Sequence, residues 1–198
     1  TLYDLYSMFE TNIFSILHKY NKKPIVWDDV FIEIPNVLSN KQTIIQIWRE
    51  NQTIIEDILK SGYYAIQSSQ NEYYLNLGFD YGGQYVKAWD IYRNDPLPLS
   101  YNLSNIERER FLGCEIAIWG EDVDEYNIDQ RVWFRGSIFA ERVWTESDKI
   151  DTYNLNDTTR RVIQHRCRLL QRGVHASGYQ DDDDYPFPMR NWNEQCQL

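Results

Sequence analysis

The chain of 198 residues carries 20 basic and 30 acidic side chains, and its net charge of −10 would repel a phosphate backbone, which excludes a nucleic-acid footprint. A hydrophobic share of 42% is enough for one real core, and of the 15 tyrosines and 7 tryptophans many must pack in it while some could form a stacking wall for a sugar. No apolar run approaches the ~18 residues of a membrane span, so the composition is that of a chain outside the bilayer.

Leu2, Leu5, Phe9, Ile13, Ile16 and Tyr20 recur at intervals of three and four, which predicts an amphipathic helix with those residues on its apolar face. Asn21 to Pro24 break it, and Ile25-Val26-Trp27 opens a short strand that ends at the acidic pair Asp28 and Asp29. Thr43 to Trp48 is rich in β-branched residues and reads as a second strand, again ending in Trp. Thr53 is a good N-cap for a helix whose face is Ile54, Ile55, Ile58 and Leu59, and Gly62 stands where its C-cap belongs. Tyr63 to Ser68 is a third strand. The Tyr- and Gly-rich segment that follows, to about Ser100, reads as a loop with little regular structure.

A fourth strand is expected over Leu112 to Ile118, ending in Trp119, Gly120 and Glu121. Arg131 to Trp144 then has helical periodicity through Val132, Ile138, Phe139 and Val143. A last helix from about Thr158 to Arg172 would bury Ile163, Cys167 and Leu170 and stop at Gly173. Alternating strands and helices predict parallel βαβ units, an α/β fold. Beyond Gly173 the chain is irregular. Its run Asp181 to Asp184 reads as solvated, since consecutive acids lack the alternating ligand spacing of a calcium loop.

In a (β/α) barrel, ligand sites sit where the strands end. Three predicted strands end in Trp27, Trp48 and Trp119, and three rings at equivalent positions could line one pocket that grips an apolar group. Taken singly, each ring is better read as core. Tyr74, after the third strand, could bring a hydroxyl to a bound polar group, and Glu121 could accept hydrogen bonds from sugar hydroxyls, although an ion-pair role is an equal reading. No His, Cys and acid cluster has metal-ligand spacing, and Gly82-Gly83 follows no strand-to-helix junction, so neither a metal, a cofactor nor a phosphate loop is expected. His18 and His175 read as structural or exposed. His165, beside Cys167, reads as orienting the C-terminal segment.

These residues carry a resemblance. Ile25-Val26-Trp27-Asp28-Asp29-Val30-Phe31, Ile45-Gln46-Ile47-Trp48-Arg49-Glu50, Tyr74-Leu75-Asn76, Trp89-Asp90-Ile91-Tyr92 with Asp95-Pro96-Leu97, Trp119-Gly120-Glu121, Ala140 to Trp144 and His165 to Gly173 stand in the order of a known family. The chain resembles the C-terminal half of a glycoside hydrolase family 20 β-N-acetylhexosaminidase of the lysosomal hexosaminidase type. The resemblance implies about strands 5 to 8 of a (β/α)8 TIM barrel over residues 1–173, with 174–198 an irregular tail, the barrel being completed by a separate N-terminal chain of the same precursor. It implies that Trp27, Trp48 and Trp119 box the substrate's N-acetyl group, that Tyr74 bonds the acetamide oxygen, and that Asn76 and Glu121 hold hydroxyls of the terminal sugar. Such enzymes use the substrate's own acetamide as nucleophile. The family's adjacent Asp-Glu pair, whose Glu is the general acid, is not matched by Asp28-Asp29 or Glu121-Asp122, and is expected upstream of Thr1.

Two departures stand out. Asn76 replaces the Asp of many members, and Leu77 stands where the form accepting charged sugars has Arg, which leaves acceptance of sulfated or sialylated sugars open. The sequons at Asn51, Asn102 and Asn156, beside Cys167 and Cys196 read as a tail-tethering disulfide, raise the odds of an oxidising compartment. Cys114 is then most simply a buried thiol in its strand. The expectation is a lysosomal or secreted exo-hydrolase of terminal β-linked GlcNAc or GalNAc, a homo- or heterodimer when complete. Its rival is a non-catalytic N-acetylhexosamine-binding protein.

Overall fold

The computed structural model describes residues 1–49, 53–78, 83–121, 123–176 and Cys196. The sequon at Asn51, Asp122, the Asp181 to Asp184 run and the tail beyond Ala176, apart from Cys196, lie outside the described residues. The chain divides into two compact units, Thr1–Gln70 with Pro96–Glu115, and Asn71–Asp95 with Ile116–Leu198.

The first unit is built on four parallel strands in the order of the chain: β1 (Ile25–Trp27), β2 (Ile44–Ile47), β3 (Tyr64–Gln67) and β4 (Phe111–Cys114). Parallel neighbours need crossovers. α2 (Asp28–Glu33), followed by a 3-10 turn at Pro35–Val37, links β1 to β2, and α3 (Ile54–Lys60) links β2 to β3. Val30, Ile34, Ile45, Ile47, Ile55, Ile58, Leu59 and Ala65 form the core under these helices. Tyr63 enters it with its hydroxyl satisfied, donating to the Leu38 carbonyl at 2.7 Å. Gly62 caps α3 at φ +89°, a left-handed conformation in which a side chain would be strained. Thr53 occupies the N-cap position, yet its side chain makes no capping bond to the helix, because its own backbone is already helical at φ −71° and ψ −19°.

The sheet's two faces are unequally covered. On β2 and β3 the residues Ile45, Ile47, Ala65 and Gln67 are buried, whereas Ile44, Gln46, Tyr64 and Ile66, which alternate with them, are half-buried. A parallel sheet normally hides both faces, and here the second is the less covered of the two. α1 (Leu2–Lys19) forms as expected, but it packs on the core through Tyr6 and Phe14. The expected apolar stripe is turned outward: Leu2, Leu5, Phe9, Ile16 and Tyr20 are all exposed.

β4 is shorter than expected. Ala65 pairs with Phe111 and Ile66 with Gly113, so Leu112 is bulged out of register, and Gly113 takes φ +134°. Cys114, expected to be buried, is half-buried; among the described residues its strand has no neighbour beyond it in the sheet. α6 (Asn105–Arg108) precedes the strand and starts in a capping box between Ser104 and Glu107.

In the second unit, the segment read as a loop to Ser100 contains α4 (Gln70–Tyr73), which begins at the unit boundary, and α5 (Ala88–Arg93). Both are too short to show a period in sequence. α5 exists because Ala88, Trp89 and Tyr92 are buried with Phe134, Ile138, Leu155 and Val162. α7 (Ile128–Trp144) buries Phe134, Ile138 and Phe139, while Val143 of the expected stripe is exposed. α8 (Asn156–Gln171) buries Val162 and Cys167, but Ile163 and Leu170 are only half-buried; Thr158, Thr159 and Arg166 take the inner positions. Gly173 ends it at φ +82°, and Cys167 is joined to Cys196 by a disulfide.

Two arginines on one face of α7 hold the excursion between residues 75 and 95. Arg135 is buried and donates to the carbonyls of Leu75 at 2.5 Å and Val86 at 3.1 Å, with its guanidinium 4.6 Å from the Tyr85 ring centroid. Arg142, two turns on, donates to the Asn94 carbonyl at 2.9 Å and pairs with Asp95 at 3.3 Å. Arg161, by contrast, meets Glu141 on the surface. Removing Arg135 would leave buried carbonyls unpaired, a loss of roughly 2–4 kcal/mol, or about 5–15 °C in Tm. Arg161→Ala should move Tm by less than about 2 °C, since surface pairs are weak. Thermal unfolding of Arg135→Ala and Arg161→Ala checks the contrast, and equal shifts would refute the clamp.

Candidate functional site

In the first unit, strand direction brings the expected aromatics to one edge of the sheet. Trp27 is the last residue of β1 and pairs in register with Gln46, and Trp48 follows directly after β2. The Trp48 carbonyl accepts from the Gln70 backbone N–H at 2.9 Å, which extends the β2–β3 ladder past its last strand residue. The Trp48 indole Nε1–H donates to Asp29 Oδ2 at 2.6 Å. The Arg49 guanidinium donates to Asp29 Oδ1 and to Glu33 Oε1, each at 2.5 Å, and lies 5.7 Å from the Trp48 ring centroid.

The adjacent carboxylates Asp28 and Asp29 have opposite surroundings. Asp28 is fully buried, with Oδ2 accepting the Arg49 backbone N–H at 3.3 Å and Oδ1 without a partner, and burial pushes its carboxyl above the usual range. Burial would also raise Asp29, but the bonds from Arg49 and Trp48 outweigh it and hold that carboxyl below its ordinary value. Asp29 and Glu33, the two carboxylates that accept from it, raise the Arg49 guanidinium above its ordinary value.

In the second unit, Tyr74 forms an isolated parallel bridge with Ala117, and Leu75 N–H donates to the Ala117 carbonyl at 2.7 Å. This bridge fixes the segment in which Tyr74, Asn76 and Trp119 meet. The Tyr74 and Trp119 ring centroids lie 5.7 Å apart with planes at 55°. Tyr74 is 6% exposed and Trp119 40%, so one ring backs the other and Trp119 meets solvent. Asn76 Oδ1 accepts the Trp119 backbone N–H at 3.2 Å. That bond assigns the amide oxygen to the Trp119 side of Asn76 and leaves the side-chain NH2 as its donor. Gly78 closes the neck of this loop at φ +83°, where an added Cβ would stand 2.4 Å from the backbone of Tyr85. Trp119 is therefore not the end of a strand as expected. β4 stops at Cys114, and the bridge at Ala117 carries the chain on to it. Glu121 is exposed in the turn that follows.

A groove of about 870 Å³ runs along α7 and α8, lined among others by Ile116, Val132, Gly136, Trp144, His165 and Leu169. Tyr74, Asn76, Trp119 and Glu121 do not line it. Burial and then the neighbouring Arg168 and Arg172 lower His165, which favours its neutral form. His18 and His175 are exposed. Arg166, rather than His165, reaches the C-terminal segment, donating to the Ala176 carbonyl at 3.2 Å. Among the described residues no group of three His, Cys, Asp or Glu could hold a metal ion, and no helix is long and apolar enough to cross a membrane.

Sequence reasoning passed over Asp29 with Arg49, and Arg135 with Arg142. Each pair had a signal. An Arg follows Trp48 where Asp28 and Asp29 follow Trp27 on the neighbouring strand, and Arg135 and Arg142 stand seven residues apart within an apolar helix face.

The chain is 34% identical over 174 residues to the β subunit of rat β-hexosaminidase, covering 87% of this chain and 30% of the relative. It is 30% identical over 174 residues to the human β subunit, covering 87% and 29%. Among solved structures it superposes on a Flavobacterium johnsoniae chitobiase with a TM-score of 0.72 at 26% identity, covering 88% of this chain and 25% of that one. The chain thus spans about three-tenths of the length of the curated relatives it matches. The model of the glycosyl hydrolase family 20 catalytic domain matches residues 1–147, and the chain belongs to that family.

Proposed function

We propose that this chain is the substrate-holding half of an exo-acting β-N-acetylhexosaminidase that removes terminal β-linked GlcNAc or GalNAc. The observation that carries the reading is the Tyr74 and Trp119 ring pair, tied by the Asn76 bond to the Trp119 backbone. It sets a half-exposed indole wall beside a phenol, the two surfaces that an acetamide's methyl and carbonyl call for. In this reading Trp27, Trp48 and Trp119 enclose the acetamide, and Tyr74 donates to its oxygen. Asn76 offers a donor and Glu121 an acceptor to the outer hydroxyls.

The acetamide oxygen then attacks the anomeric carbon. Its orientation is the protein's task, and effective molarities for such intramolecular attack are worth roughly 7–11 kcal/mol. The leaving oxygen takes its proton from the Glu of an Asp-Glu pair on an N-terminal chain of the same precursor. That chain would also cover the half-buried sheet face of Ile44, Gln46, Tyr64 and Ile66 and the outward stripe of α1. Residues 1–173 are then strands 5 to 8 of the barrel with their helices, and 174–198 a tail tethered through Cys167 and Cys196. The disulfide and the exposed sequon residues Asn102 and Asn156 suit a lysosomal or secreted protein, dimeric as its relatives' names as subunits suggest.

Two measurements test this. Co-expressed with the segment that precedes it, the chain should hydrolyse an aryl N-acetyl-β-glucosaminide, whereas the chain alone should not. Binding of N-acetylglucosamine without any turnover by the assembled protein would favour a purely binding role. In the assembled protein, Trp119→Ala should raise KM and lower kcat, with kcat/KM down roughly tenfold to a hundredfold, since a misplaced acetamide loses its effective molarity. Unchanged kinetics would remove Trp119 from the pocket.

A further inference from the structure

The polar edge of Trp48 is accounted for in full. An indole has a single donor and no acceptor. That donor goes to Asp29 Oδ2 at 2.6 Å, so every other atom the ring can present is carbon. Asp29 is itself fixed. It stands in the first turn of α2, and its second oxygen takes the Arg49 guanidinium, which also reaches Glu33 four residues on along the same helix. Arg49 follows Trp48 in the chain, and its backbone N–H is held by Asp28. The ring, its acceptor and the cation that locks the acceptor thus form one closed circuit between the end of β2 and α2.

The circuit matters because the angle that turns an indole about its bond to Cβ lies in a broad, roughly two-fold well. Packing on one side does not choose between its orientations. A charge-assisted bond at the ring's edge does, being about twice as strong as a neutral one.

We propose that Asp29 is a positioning residue for Trp48. It sets the plane of the indole and takes up its only N–H, so that the ring offers the pocket a purely apolar face. This rests on reading Trp48 as a wall of the acetamide pocket, and it adds a specificity consequence. A wall without a donor suits the acetamide methyl and gives no hydrogen bond to a hydroxyl at the same carbon of the sugar.

Among the described residues, the charged and titratable groups around Asp29 are Asp28 and Glu33 on its own helix, Arg49 beyond β2 and Tyr6 on α1. Glu33 touches Arg49 but not Trp48 in these bonds, which makes it the internal control.

The test uses the assembled protein carrying ¹⁵N-indole tryptophan, with the Trp48 signal assigned by its disappearance in Trp48→Phe. Asp29→Ala should shift that indole N–H signal upfield and speed its exchange with water at least about tenfold, while Glu33→Gln leaves it in place. Should Asp29→Ala fail to fold, Asp29→Asn keeps the shape and a neutral acceptor and should give a smaller shift in the same direction. In turnover, Asp29→Ala should lower kcat roughly tenfold with KM nearly unchanged, because the ring is still present but no longer oriented, and Asp29→Glu should restore part of the loss. An unmoved indole signal in both Asp29 variants, or an equal shift in Glu33→Gln, would overturn the proposal. If the unaltered protein turned over no N-acetylhexosaminide, the pocket reading would fall, and the indole signal would still decide whether Asp29 positions Trp48.

Discussion

Everything in the first unit follows from the parallel direction of its four strands. Parallel strands deliver all their C-terminal ends to one edge, and their crossovers must return on a face of the sheet. Trp27 and Trp48 reach that edge because β1 and β2 run the same way in register, with no contact between the rings needed to bring them there. The same constraint leaves a debt on the opposite face. Hydrophobic pleats demand cover on both sides, and the helices of this unit cover one. The half-buried Ile44 and Ile66 express that demand in a way that no amphipathic antiparallel sheet would.

Polar groups gathered at a strand edge must be satisfied or they destabilise it, and Asp28 and Asp29 are handled in opposite ways. Asp28 is buried with one oxygen unpartnered, so folding favours its protonated form; that contribution is present below the unfolded value near ~3.9 and fades as pH rises through the raised folded value. Asp29 meets two donors, so folding favours its charge; that contribution is present above ~3.9 and is lost as pH falls through the lowered folded value. Two neighbouring carboxyls thus pull stability in opposite directions with pH. The lowered Asp29 carboxyl is an anion at neutral pH, the state that its bond to Trp48 uses.

Much of this was legible in the residues. The β-branched run at Ile44 to Ile47 and the glycine at 62 mark β2 and the end of α3, because both signals are local in the chain. α5 was not legible: six residues give no period, and its helix depends on Trp89 and Tyr92 finding Phe134 and Val162 far along the sequence. The early end of β4 was hidden for another reason, since Gly113 looks like any small residue in an apolar run until its pairing with Ile66 is known. The motif residues Trp48, Tyr74 and Trp119 could be named from sequence. What fixes them could not, because Asp29 and Asn76 act through bonds spanning 19 and 43 residues.

Those bonds share a logic that goes beyond their separate positions. The Trp48 indole N–H is taken by Asp29, the Trp119 backbone N–H by Asn76, and the Leu75 N–H by the Ala117 carbonyl. Each is a donor that would otherwise stand unpaired, at a cost of about 1–3 kcal/mol where water is excluded. In the proposed reading the ligand's acetamide has one apolar end and one polar end, so its surface must be silent toward the methyl as well as attractive to the carbonyl. Aromatic rings alone do not achieve the first, because tryptophan carries a donor of its own. Pairing that donor with a carboxylate held by Arg49 converts an amphipathic ring into an apolar one.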